Sequence, residues 1–164
     1  MRVARNHKEM GSHMPVLLKV IPTTTGAVCE IGSGFYSTPL LHWLCIGRTL
    51  FTFENDPEYL HYAHKFQTNT HRIRPFDRID FERDWDVVFI DHNNQKSGIL
   101  RGEMALKFKN AKLIILHDTE PEECENYGYD KMFPHFKYRY DYTDYRPNTS
   151  VVSNVIDVTR WQKN

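Results

Sequence analysis

Short apolar runs alternate along this chain with segments whose apolar positions recur at helical spacing. Residues 27–31 form a brief strand-like run ending in Gly32-Ser33-Gly34. Ser37 and Thr38 then stand where helix caps stand, which predicts Pro39 at the first helical position, with Leu40, Leu41, Trp43 and Leu44 on a helical period. Gly47 suits the glycine that closes such a helix. Residues 49–53, rich in aromatic and β-branched side chains, predict a second strand. Asp56-Pro57 repeats the cap-then-proline signature and opens a helix predicted to reach about Phe66. A short third strand is predicted over 72–76, where Pro75 weakens it, and a continuous apolar fourth over 86–90, ending at Asp91. A helix over 99–108 and a fifth strand over 112–116, ending at His117-Asp118, complete the pattern. Apolar strands separated by helices predict an α/β fold with a parallel sheet covered on both faces.

The last third changes period. Residues 136–142 alternate aromatic and charged side chains, which predicts a strand with one buried face. Arg146-Pro147-Asn148-Thr149 reads as a turn and 150–158 as a returning strand, so the sheet should close with an antiparallel hairpin. Its basic and aromatic residues could form a nucleic-acid platform. A hairpin packing its tyrosines inward is the simpler reading.

Composition narrows the class. A chain of 164 residues, 40% hydrophobic, fits one domain with its own core and excludes a disordered chain. No apolar run approaches the roughly 20 residues of a membrane span, so no membrane partner is expected. The start lacks the apolar stretch of a secretory signal. Twenty-one basic against 21 acidic side chains argues against nucleic acid held by bulk charge. Three cysteines without a CxxC spacing suit a reduced, cytoplasmic protein. Gly11-Ser12-His13-Met14 matches a common cloning remnant, so residues 1–14 read as partly tag. Residues 1–26 then form an N-terminal segment and cap helix, and 27–164 a single domain.

In open α/β sheets ligands bind beyond the carboxyl ends of the strands. Four such ends here carry polar groups: Glu30 with its glycine turn, Glu54, Asp91-His92 and His117-Asp118. Glu54 follows the glycines by about 20 residues, the spacing at which a carboxylate accepts hydrogen bonds from ribose hydroxyls. Phe35 and Tyr36 stand where a third glycine would admit a pyrophosphate, and no Lys-Ser/Thr completes a P-loop. Glu30 is a poor neighbour for phosphate and a good one for a cation, such as the amino group and sulfonium of S-adenosylmethionine.

Glu30-Ile31-Gly32-Ser33-Gly34 followed by Phe53-Glu54-Asn55-Asp56-Pro57 resembles motif I and the ribose-binding acidic residue of class I S-adenosylmethionine-dependent methyltransferases. Val88-Phe89-Ile90-Asp91-His92 and Leu116-His117-Asp118-Thr119 bring the resemblance nearest to the catechol and caffeoyl-CoA O-methyltransferases, over roughly residues 27–119. The resemblance implies a Rossmann-like, doubly wound, mostly parallel seven-stranded sheet whose last strand is antiparallel. It implies methyl transfer from S-adenosylmethionine to a small-molecule acceptor, a hydroxyl in the nearest relatives. Glu30, Gly32, Ser33 and Gly34 would lie along the methionine and adenosyl side, Glu54 with Asn55 at the ribose, and Asp91 and His92 beside the adenosyl group. Asp77 is a further adenine candidate. Asp91, His117 and Asp118 map onto the family's divalent-metal ligands, with the imidazole moving preference from magnesium towards manganese, iron or zinc. Asp118 or His117 would take the acceptor's proton. The family's catalytic lysine corresponds to Asn94, which cannot take a proton, with Lys96 two residues on.

Read without the resemblance, Asp118 caps a helix whose first turn holds Thr119, Glu120 and Pro121, and His117 is a hydrogen-bonded strand-end histidine. His61 and His64, three apart, read as an exposed face, as does His42. His7 and His13 fall in the segment that would cover the cofactor, His13 towards the substrate. The alternative to an enzyme is a non-catalytic or partner-dependent S-adenosylmethionine-binding protein, because few residues lie outside the core fold to build an acceptor pocket. A homodimer could supply the missing wall.

Overall fold

The computed structural model describes residues 11–108 and 110–162; His7 lies outside them. The first half comprises α1 (Met14–Val20), β1 (Ala27–Ile31), α2 (Ser37–Leu44), β2 (Leu50–Phe53), α3 (Pro57–Ala63) and β3 (His71–Arg74). Next come β4 (Trp85–Ile90), α4 (Asn94–Ser97), α5 (Arg101–Lys107), β5 (Leu113–His117), α6 (Cys124–Tyr127) and α7 (Tyr129–Met132). The chain closes with β6 (Tyr138–Tyr142) and β7 (Thr149–Ser153).

The seven strands form one sheet in the order β3-β2-β1-β4-β5-β7-β6. Strands β1 to β5 run parallel, and β7 is antiparallel to both β5 and β6. The two-residue period of a strand sends Val28, Val87, Phe89, Leu113 and Ile115 to one face, against Val16, Leu17 and Val20 of α1 and Leu41 of α2. Ile31, Val88, Ile90, Ile114 and Leu116 go to the other, against Met104 and Ala105 of α5 and Tyr129 and Met132 of α7. Burial on both faces is why these strands read as unbroken apolar runs. Each such side chain contributes about 1.5–3 kcal/mol on burial. Among the described residues no helix is long and apolar enough to cross a membrane.

Local chemistry sets the element ends. Asp56 caps α3 as its sequence predicts, accepting from the N–H groups of Glu58 (2.9 Å) and Tyr59 (3.4 Å). A 3-10 turn, His64–Phe66, carries that helix to its expected end. Helix α2 starts at Ser37, two residues before Pro39, and has no side-chain cap. Thr38 is not free to provide one, since its hydroxyl faces Glu30 and accepts from the Gly34 N–H (3.0 Å). Strand β7 stops at Ser153, short of the predicted 158. There the Ser153 Oγ accepts from the N–H groups of Val155 (3.1 Å) and Ile156 (2.9 Å) and turns the chain away.

Candidate functional site

The connections from β1 and β4 leave the sheet on opposite sides, and a cleft of about 1260 Å³ opens at their carboxyl ends. Gly32 makes that crossing possible. Its φ is +91°, and a Cβ there would stand 2.6 Å from the His92 Cα and 2.7 Å from the Asp91 carbonyl carbon. The loop after β1 and the end of β4 are thus packed backbone to backbone, a contact only glycine permits.

Glu54, at the end of β2, reaches across to this loop. Its Oε2 accepts from the Ser33 N–H (2.8 Å) and hydroxyl (3.1 Å), and its Oε1 from the N–H groups of Asn55 (2.7 Å) and Asp56 (2.8 Å). Four donors fill the carboxylate's usual acceptor positions. The Ser33 hydroxyl is the replaceable one, because it can turn to the Tyr59 carbonyl (3.2 Å). Glu54 lines the cleft, as do Ser33 and Gly34.

Glu30 does not line the cleft. It is fully buried, and its carboxylate accepts from the hydroxyls of Thr38 (3.1 Å) and Thr52 (2.6 Å). Burial pushes its carboxyl up to about 7, against the lowering effect of the surrounding hydroxyls. Thr52 continues the chain to His71 Nε2 (2.9 Å), whose Nδ1 meets His42 Nδ1 at 3.0 Å. Glu30, Thr52 and His71 therefore form a buried polar row that ends on the half-buried His42, which is not a bland surface residue. Burial, then His42, brings His71 down to about 4.

At the ends of β4 and β5 a guanidinium organises the site. Arg101, the first residue of α5 and only 6% exposed, pairs with Asp91 Oδ1 (2.9 Å) and Asp118 Oδ2 (2.7 Å). It also donates to the His92 carbonyl (2.8 Å) and the His117 carbonyl (3.2 Å), and covers the Tyr127 ring at 4.3 Å. Burial opposes its charge, but Asp91, Tyr129 and Asp118 outweigh it and hold the guanidinium above its ordinary value. Burial likewise works against Asp91, yet the His117 and Arg101 charges hold it well below the usual carboxylate range. His117 Nδ1 lies 3.3 Å from Asp91 Oδ1 and 3.4 Å from Asp118 Oδ1, and its pKa rises because Asp91 outweighs burial.

The residues read as cloning remnant are structural. Ser12 and His13 are each 2% exposed. Ser12 Oγ sits 2.8 Å from His117 Nε2 and donates to the Pro147 carbonyl at 2.7 Å. Ser12, His117 and Asp91 fall in the order of a nucleophile, base and acid. The Ser12 proton is committed to Pro147, however, so Ser12 accepts from the imidazole and orients it. His13 packs on Phe89 (5.0 Å) and edge-on to His117 (4.8 Å), and lines the cleft. Burial, then His117, brings it down to about 4.

The other predicted residues divide. His92 lines the cleft, with Nε2 on the Ile99 carbonyl (3.1 Å), its ring edge-on to Phe76 and its Nδ1 without a partner among the described residues. Burial takes it down to about 4. Asn55 donates to the Lys96 carbonyl (2.7 Å), and Lys96 pairs with Asp56, so Lys96 straps α4 to the β2 end and is absent from the Asp91 cluster. Asp77 is exposed, pairs with Arg78 at 3.7 Å and does not line the cleft. Asp118 caps no helix. It has φ 56°, which turns its carboxylate back to Arg101, and the next helix begins at Cys124. His61 and His64 do not line the cleft.

The donor atoms that converge, all within 4.8 Å of one another, belong to His13, Asp91 and His117. Asp118 is outside that group and faces the guanidinium, so Asp91, His117 and Asp118 do not close as a ligand set.

A five-stranded parallel run extended by a reversed β7 and a final β6, with a glycine loop after β1, is the class I methyltransferase fold. No family model matches the chain, and no curated protein matches it. Solved structures do. A protein from Klebsiella pneumoniae assigned as an O-methyltransferase superposes with a TM-score of 0.64 at 16% identity, over 94% of this chain and 82% of that one. One from Staphylococcus aureus assigned as a caffeoyl-CoA O-methyltransferase gives 0.64 at 13%, over 93% and 85%. Human methyltransferase-like protein 13, solved with S-adenosylhomocysteine, gives 0.61 at 15%, over 96% and 85%. At these identities the shared property is the fold.

Proposed function

We propose that this chain is an S-adenosylmethionine-dependent methyltransferase whose acceptor is a hydroxyl of a small molecule. The observation that carries the reading is Glu54. A carboxylate fixed by three backbone N–H groups stands at the cleft edge, with a fourth, releasable donor in the Ser33 hydroxyl. Rotation of that hydroxyl frees an acceptor position for a ribose hydroxyl without disturbing the loop. The unpartnered His92 Nδ1 beside Phe76 supports an adenine at the neighbouring edge.

Bound S-adenosylmethionine supplies a methyl group on a sulfonium, open to in-line displacement by the acceptor oxygen. The chain's own contribution is chiefly to hold the partners in line, which provides much of the rate. Asp118 faces the cleft with Oδ2 anchored by Arg101, and takes the acceptor's proton. His117, with Nδ1 3.3 Å from Asp91 and 3.4 Å from Asp118, lines the cleft beside that carboxylate and helps to place the acceptor oxygen. Asp56 in the lining is paired with Lys96, and Glu103 and Glu123 add negative charge that favours a small acceptor over a phosphate backbone.

Calorimetric titration with S-adenosylmethionine and S-adenosylhomocysteine tests the reading. Both should bind, and Glu54→Ala should weaken each by about tenfold or more, the loss of a charge-assisted hydrogen bond. No binding by the wild-type protein at millimolar ligand would overturn it.

A further inference from the structure

His13 carries two ring nitrogens that are buried and without a partner among the described residues. A buried polar atom left unmade is costly, so a ligand that one of these nitrogens can bind would relieve part of that cost. What they face can be read from the hydrogen bonds next door. Ser12 gives its proton to the Pro147 carbonyl, so Ser12 Oγ accepts from His117 Nε2–H. A neutral His117 then presents the lone pair of Nδ1 to Asp91 Oδ1 at 3.3 Å. Two lone-pair atoms facing one another require a positive centre between them. A proton satisfies His117 and Asp91 but leaves both nitrogens of His13 unmade. A metal ion takes up one nitrogen of His13 together with His117 Nδ1 and Asp91 Oδ1.

We infer that His13, Asp91 and His117 form a site for a divalent transition-metal ion at the inner end of the cleft. The spacing suits one. Ligands held about 2.0–2.1 Å from a tetrahedral ion stand about 3.3 Å apart, which is the His117–Asp91 separation. The His13 donor lies within 4.8 Å of the other two and closes the remainder by turning its ring. Two imidazoles and one carboxylate favour zinc, cobalt, manganese or iron over magnesium or calcium, which prefer oxygen. Ser12 fixes the His117 tautomer from behind, and Arg101 steadies Asp91, the supports that metal-ligating side chains use. The ligand set differs from Asp91, His117 and Asp118 in taking His13 for Asp118, whose Oδ2 is paired with Arg101. Such an ion lowers the proton affinity of an oxygen bound beside it.

The inference stands apart from the methyltransferase reading, and one titration separates them. Chelator-treated protein is titrated with cobalt(II), following the visible d–d absorption, and with magnesium as the control. One cobalt should bind per chain, and magnesium should not displace it. His13→Gln and Asp91→Asn should each weaken cobalt binding by about tenfold or more, and Asp118→Asn should leave it within about twofold. Should a variant fail to fold, proton NMR of the wild-type protein decides instead: cobalt should shift the ring signals of His13 and His117 and spare those of His61 and His64. Absence of cobalt binding, an unaffected His13→Gln, or equal loss in Asp118→Asn overturns the site. S-adenosylhomocysteine affinity is measured separately on the chelator-treated wild-type protein, and binding of either ligand without the other lets either claim fail alone.

Discussion

Replacing Arg101 by Met keeps most of the side-chain volume and removes the charge on which two carboxylates depend. The two ion pairs, at 2.9 and 2.7 Å, are lost together with the bonds to the His92 and His117 carbonyls. The losses are unequal. The His117 carbonyl keeps a second donor in the Tyr129 hydroxyl (2.7 Å), and Asp91 keeps His117. Asp118 keeps only His117 Nδ1 at 3.4 Å among its ion pairs, and the His92 carbonyl loses its guanidinium donor. Removing one member of a buried ion pair costs about 3–5 kcal/mol, because the surviving charge stays uncompensated. For a domain of this size that is a fall of about 6–20 °C in Tm. Adding Asp118→Asn to Arg101→Met removes the worst-placed survivor and should recover about 1–2 kcal/mol, although alone it breaks a pair. Urea unfolding of the four proteins at neutral pH measures this. A loss below about 1 kcal/mol in Arg101→Met, or no recovery in the double variant, would refute the view that this guanidinium organises the site.

Gly32→Ala should cost more than about 3 kcal/mol, from a strained positive φ and a Cβ driven into the backbone of Asp91 and His92; urea midpoints near wild type would contradict the packing. Glu30→Gln tests the buried carboxyl by pH. Its folded pKa of about 7 lies above the unfolded value near 4.5, so the folded state holds a proton that the unfolded state has released, and this group's stability is lost as pH rises between those values. The variant should therefore gain on wild type by up to about 3 kcal/mol between pH 5 and pH 8, and a pH-independent gap would rule this out. His71, brought down to about 4, has the opposite sign: its contribution is full above about 6.5 and lost as pH falls towards 4. His71→Gln should flatten that acid limb in the same denaturation series, and an unchanged limb would count against the buried neutral imidazole.

The strands were legible because burial on both faces leaves a continuous apolar run, as in 86–90 and 112–116, that needs no partner to be recognised. Asp56-Pro57 was legible because a cap acts on its own next two residues. Glu54 could be located by its distance from the glycines, but its four donors come from two loops brought together only by folding. Arg101 was missed, since a charged residue near a helix start reads as solvated. The available signal was its spacing from Met104, Ala105 and Phe108, which puts it on the buried stripe. Ser12 and His13 were set aside for matching a cloning remnant, and nothing local reveals that they meet His117, more than 100 residues away. Asp118 was expected as a cap because Asp-Thr-Glu-Pro has the right composition. Its left-handed backbone reverses the side chain instead, and helices of four residues such as α4, α6 and α7 are too short to show a period.

The central claim is that the cleft above β1, β2 and β4 is an adenosyl cofactor site. A crystal structure of the protein grown with S-adenosylhomocysteine tests it directly. The account predicts ribose hydroxyls on Glu54 with the Ser33 hydroxyl turned to Tyr59, and the adenine edge within hydrogen-bond reach of His92. Ligand density away from Glu54, or an empty cleft at millimolar ligand, would contradict it.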